Sequence, residues 1–71
     1  MTHTIDEQIR EVRREIGMRH HVYPRFVESK RITQAQSDER IALLEAVCDT
    51  LERLRSEQRP ELFGDIHAHH P

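Results

Sequence analysis

The sequence predicts an all-α protein, an antiparallel helical hairpin that dimerises into a four-helix bundle. Three observations carry that expectation. Two helix-start signals, Thr4-Ile5-Asp6-Glu7 and Thr33-Gln34-Ala35-Gln36, each precede an apolar stripe of helical period. The chain has 71 residues, 35% hydrophobic and 34% charged, with Cys48 as its single cysteine. Its core is therefore marginal and no internal disulfide can staple it, which leaves a second copy as the available staple. Finally, the second stripe is broad enough to touch the first helix on one side and another chain on the other.

Taken in order, Thr4 can accept from the Glu7 amide while the Glu7 carboxylate reaches back to the Thr4 amide. The stripe that follows is Ile5, Ile9, Val12 and Ile16, then Tyr23 after a gap at Arg19 and His20. Gly17 weakens this helix by about 1 kcal/mol relative to alanine. Pro24 lacks an amide and disfavours helical angles at Tyr23, so the first helix is expected over about 5–22. A short turn of helix over about 24–28 should follow, with Phe26 and Val27 pointing back at the hairpin. Ser29-Lys30-Arg31-Ile32 is the connection.

The second helix is expected over about 34–58, roughly 36 Å at ~1.5 Å per residue. Its inward positions are Ile41, Leu44, Val47, Cys48, Leu51 and Leu54, with Leu43 off the stripe and widening it. The predicted core and dimer contacts are thus Ile9, Val12, Ile16, Ile41, Leu44, Cys48, Leu51 and Leu54. Asp6 with Arg10, Glu15 with Arg19 and Asp49 with Arg53 are i,i+4 pairs that each add a few tenths of a kcal/mol. Pro60 closes the helix, and residues 59–71 read as a flexible tail carrying His67, His69 and His70.

Charge is bipolar along the chain. Residues 10–31 hold seven basic side chains against three acidic ones, and residues 32–71 hold four against eight. An antiparallel hairpin sets those halves side by side, so part of the pattern is self-complementarity. The rest suggests a basic binding surface made of Arg13, Arg14, Arg19, His20, Tyr23, Arg25 and Phe26. Tyr and Arg favour binding hot spots, although Tyr23 and Phe26 also suit a plug at the hairpin turn. Arg19-His20-His21 equally suits the last turns of a helix, where the dipole favours cations. An acidic protein surface or nucleic-acid phosphates would meet such a strip. Nucleic-acid binders usually carry a larger positive excess, and Glu11, Glu15 and Glu28 interrupt this one.

Other classes find little support. There is no Gly-rich phosphate loop, no nucleophile elbow and no HExxH, so no enzyme is expected. Cys48, on an apolar stripe, reads as a structural thiol. The tail histidines with Asp65 offer metal-ligand chemistry, but a mobile terminus lacks the fixed geometry a site needs, so neither metal nor cofactor is expected. No apolar run approaches the ~20 residues of a membrane span. Met1 to Arg10 lacks a signal-peptide core, which points to the cytoplasm.

The stretch Arg14-Glu15-Ile16-Gly17-Met18-Arg19-His20-His21-Val22-Tyr23-Pro24-Arg25-Phe26-Val27 resembles a family of small proteins encoded by tailed bacteriophages and prophages. Members read E-I-x-M-R-x-x-V-Y-P-x-W-V, then a turn, then a long helix. Ile32 to Gln36 and Arg40 to Val47 are similar to it too, and the likeness covers about residues 5–54. Phe26 stands where Trp is common, and Ser29-Lys30 replaces a glycine-containing turn. The resemblance implies a phage or prophage origin, a bacterial host cytoplasm, and a protein that binds and inhibits or redirects a host protein. A transcription regulator or a defence complex would be such a target. It implies no residue-level site.

Overall fold

The computed structural model describes residues 3–58, which form an all-helical hairpin of α1 (Ile5–Glu28) and α2 (Gln34–Gln58) with no strand among the described residues. Both helix starts are capped as their sequences require. Thr4 Oγ1 accepts from the Glu7 amide at 3.1 Å, and Glu7 Oε1 accepts from the Thr4 amide at 2.8 Å. At α2, Thr33 Oγ1 accepts from the Gln36 amide at 3.0 Å, and Gln36 Oε1 accepts from the Thr33 amide at 2.9 Å. Each cap satisfies donors that the first helical turn would otherwise leave without partners.

α1 does not stop at Val22. It runs through Pro24 to Glu28 as one helix, where the sequence predicts an end followed by a separate turn. The reason is positional. Pro24 is exposed, so the His20 carbonyl that it cannot serve lies on the side that water can reach. Tyr23, one residue before, is buried, with its ring 6.1 Å from that of Phe26. Packing of those two rings holds the backbone helical where local preference opposes it.

The exit from α1 is a Schellman motif. The Lys30 amide donates to the Val27 carbonyl at 3.0 Å and the Arg31 amide to the Phe26 carbonyl at 2.8 Å. Lys30 occupies the left-handed position at φ 64°, where glycine is the usual residue. The hydrophobic contact that normally completes the motif is replaced by the Arg31 guanidinium, 5.1 Å from the centre of the Phe26 ring.

The hairpin core is narrow. Ile9, Tyr23, Cys48 and Ser37 are buried. Val12, Ile16, Ile41, Leu44 and Leu51 are only half-buried, and Leu54 is exposed, although all six were expected in the core. Val47, expected to face inward, is exposed too. The seam that α2 lays on α1 is Ser37, Ile41, Leu44, Cys48, Leu51 and Arg55, spaced 4-3-4-3-4. Leu54 and Val47 each lie one residue before a seam position, so a rotation of about 100° carries them out of the contact. Ser37 escapes a search for apolar periodicity because it is polar, yet it keeps the same spacing.

Two substitutions test these backbone assignments. A Cβ built on Gly17 meets nothing within 4 Å, so Gly17→Ala should stabilise the protein by about 0.5–1 kcal/mol. Lys30→Gly should likewise raise the urea midpoint, by about 1 kcal/mol of stability, because it removes the side-chain cost of the left-handed conformation. A lower midpoint for either variant would contradict the conformation given to that residue.

Candidate interaction surfaces

The two flanks of the hairpin differ in chemistry. On one, charges cross between the helices. Arg13 pairs with Glu52, and Arg55 Nη1 donates to Asp6 Oδ1 at 3.3 Å. The Arg13 guanidinium holds the Glu52 carboxyl below the usual carboxylate range, and Glu52 in turn raises Arg13. Cys48 Sγ lies 3.7 Å from Glu52 Oε2, inside the hairpin and turned away from solvent. Asp38 and Glu45 precede Glu52 at seven-residue intervals and so share its flank. They line a hollow of about 280 Å³ with Arg19, His20 and Tyr23.

The opposite flank is apolar. Leu43 is 57% exposed, Val47 45% and Leu54 40%. An open groove of about 600 Å³ runs beside them between the helices, lined by Gln8, Glu11, Val12, Val47 and Leu51. His3 and Glu7, 3.5 Å apart, stand with Glu11 on its α1 rim, and no group of three or more His, Cys, Asp or Glu able to hold a metal occurs among the described residues. The tail histidines His67, His69 and His70 lie outside the described residues.

The seven basic and aromatic positions expected to form one binding surface are divided by the structure. Arg13 is committed to Glu52. Arg14 Nη2 donates to Glu11 at 2.6 Å, and Arg19 Nε to Glu15 at 2.9 Å. Arg14 also holds the Glu11 carboxyl below its ordinary range. The Glu15–Arg19 pair is thus formed as the i,i+4 spacing predicts, whereas no ion pair joins Asp49 and Arg53 among the described residues. His20 faces the acidic hollow. Tyr23 is buried, with Arg19 5.7 Å from its ring centre, and so acts first as a plug between the helices.

What remains together is the closed end. Arg25 is exposed with its guanidinium 3.5 Å from His21 Nε2, Phe26 is half-buried, and exposed Lys30 and Arg31 border them. Lys30 and Arg31, which the sequence places in the same basic run as Arg25, keep that company here. The Schellman turn is what folds Arg31 over Phe26. No described helix is long and apolar enough to cross a membrane.

A pH measurement probes the cross-helix pair. Glu52 has a lowered folded-state pKa, so its contribution to stability is complete above its unfolded value and is lost as pH falls through the folded one. The urea midpoint should therefore hold from neutral pH down to about the ordinary carboxylate value of 4.5 and drop as the pH falls further. Glu52→Gln should reduce the midpoint at neutral pH and make that drop smaller. An unchanged acid limb would mean that Arg13 and Glu52 are not coupled in solution.

No family model, curated protein or solved structure matches this chain.

Proposed function

We propose that this chain is a non-enzymatic binding protein, a homodimeric adaptor or inhibitor that engages another protein through its closed end. The observation that carries the reading is the exposed pair of unlike surfaces on one small hairpin. An apolar strip of Leu43, Val47 and Leu54 runs along α2, and a cationic aromatic end gathers Arg25, Phe26, Lys30 and Arg31. Exposed apolar strips bordered by polar residues are typical of interaction sites. A core with so few fully buried side chains also gains from a second copy, which would complete a four-helix bundle.

A protein partner is favoured over nucleic acid by how the arginines are used. Arg13, Arg14 and Arg19 each already hold a carboxylate, which reduces the positive charge left to neutralise phosphates. Arg25, Lys30 and Arg31 sit together beside an aromatic ring, an arrangement suited to an acidic patch on a folded protein. The resemblance to small bacteriophage proteins supports a partner from the bacterial host, met in its cytoplasm. A regulator or defence complex whose activity is blocked or redirected by the hairpin fits this chemistry.

The test is affinity capture from nuclease-treated bacterial lysate, followed by direct binding to the purified candidate. Arg25→Glu should weaken that binding at least about tenfold, as expected for reversal of a hot-spot charge, while leaving the circular dichroism of the helices unchanged. Unchanged affinity would remove the closed end as the contact. Capture that disappears with nuclease would transfer the strip to nucleic acid.

A further inference from the structure

We infer that α2 pairs antiparallel with α2 of a second copy of this chain, in a register centred between Cys48 and Asp49. This deepens the dimer reading proposed above and rests on it. The starting point is that α2 carries two interleaved seven-residue patterns. One is the seam already packed on α1. The other lies one residue earlier throughout: Gln36, Arg40, Leu43, Val47, Thr50, Leu54 and Glu57. Its 4-3-4-3-4-3 spacing is that of a coiled-coil face, rotated about 100° from the hairpin seam. Among the described residues nothing covers this face, and Leu43, Val47 and Leu54 are its exposed apolar members.

The end charges select both the occupant and the direction. Arg40 and Glu57 bracket the apolar residues, and neither side chain makes a hydrogen bond or ion pair among the described residues. The arginines and acids of the other flank are, by contrast, joined across the helices. A parallel pairing of two copies would set Arg40 on Arg40 and Glu57 on Glu57, with like charges opposed at both ends. The antiparallel register centred between Cys48 and Asp49 sets Leu43 against the partner's Leu54 and Val47 against the partner's Thr50. It sets Arg40 against the partner's Glu57. Each of those layers occurs twice by symmetry.

Neighbouring registers fit less well. Sliding the centre to Glu45 places Leu54 against the partner's Gln36 and Arg40 against the partner's Thr50, so an apolar group meets an amide and a cation meets no anion. Sliding it to Glu52 places Val47 against the partner's Glu57 and carries Leu43 beyond the partner's helix. The central register sets leucine on leucine in both outer apolar layers and cation on anion at both ends, with Val47 on Thr50 between them, whereas centring on Glu45 keeps only Val47 on the partner's Leu43. A second copy is thus the occupant whose surface is complementary to this one. The groove beside Val12, Val47 and Leu51 opens onto the same strip and extends the contact toward α1.

The test is sedimentation equilibrium on the full chain, comparing wild type with Arg40→Glu, Glu57→Arg and the double variant that carries both. Wild type should dimerise. Each single change turns two attractive pairs per dimer into two repulsive ones and should raise the dissociation constant at least about tenfold. The double variant reverses both charges and should return to within a few-fold of wild type. Both sites are exposed in the hairpin, and retained helical circular dichroism separates loss of pairing from loss of fold. A dimer indifferent to the single changes, or a double variant as weak as the singles, overturns the register while leaving the dimer standing. A wild-type chain that is monomeric at every concentration overturns both readings and assigns the strip to a different protein.

Discussion

Two antiparallel helices in contact along one aliphatic seam can slide by a turn at modest cost, because one leucine replaces another at each step. In this hairpin the connection at Ser29 to Thr33 resists that slide. The Phe26 carbonyl accepts from Arg31, the Val27 carbonyl from Lys30, and the Thr33–Gln36 cap starts α2 within a few residues. Those bonds fix where α2 begins relative to the last turn of α1. Every later pairing follows from that start, including Arg13 with Glu52 and Asp6 with Arg55 at the open end. The aromatic plug of Tyr23 and Phe26 rests directly on the turn and keeps α1 helical through Pro24.

With the register set, the flanks of the hairpin take on different tasks. Acidic residues of α2 at Asp38, Glu45 and Glu52 run along the side where α1 brings Arg13 and His20, and part of the chain's bipolar charge is absorbed there. These pairs are solvent-accessible and contribute modestly to stability. Their larger effect is to orient: they give one side of the hairpin a polar surface that is already complementary to itself. The other side keeps Leu43, Val47 and Leu54 exposed among the described residues. A molecule with this asymmetry is suited to association through the apolar side, with the cationic closed end left accessible to a different partner.

Much of the architecture is legible in the residues. Both capping boxes, the bounds of α2, the loop position and the seam members Ile9, Ile41, Leu44, Cys48 and Leu51 follow from local chemistry and period. Three features do not. Pro24 argues for a helix end, and only the burial of Tyr23 against α2 outweighs it. Ser37 is hidden by its polarity, although its spacing marks it as a seam residue. Leu54 has the composition of a core residue and the position of a surface one, because α2 alternates between two seams a single residue apart.

The sequence by itself therefore determined that there are two helices, where each starts, and that α2 is apolar over more of its circumference than one neighbour can cover. Those properties arise within a few turns of one helix and need no knowledge of its neighbour. Only the tertiary structure decided which of the two α2 seams lies on α1, which arginines are consumed in internal ion pairs, and which cations remain at the closed end. These depend on how far each helix is rotated about its axis, a quantity set by packing between residues distant in sequence. A rotation of one residue exchanges Leu51 for Thr50 and Cys48 for Val47 at the contact, with little change in the pattern along either helix.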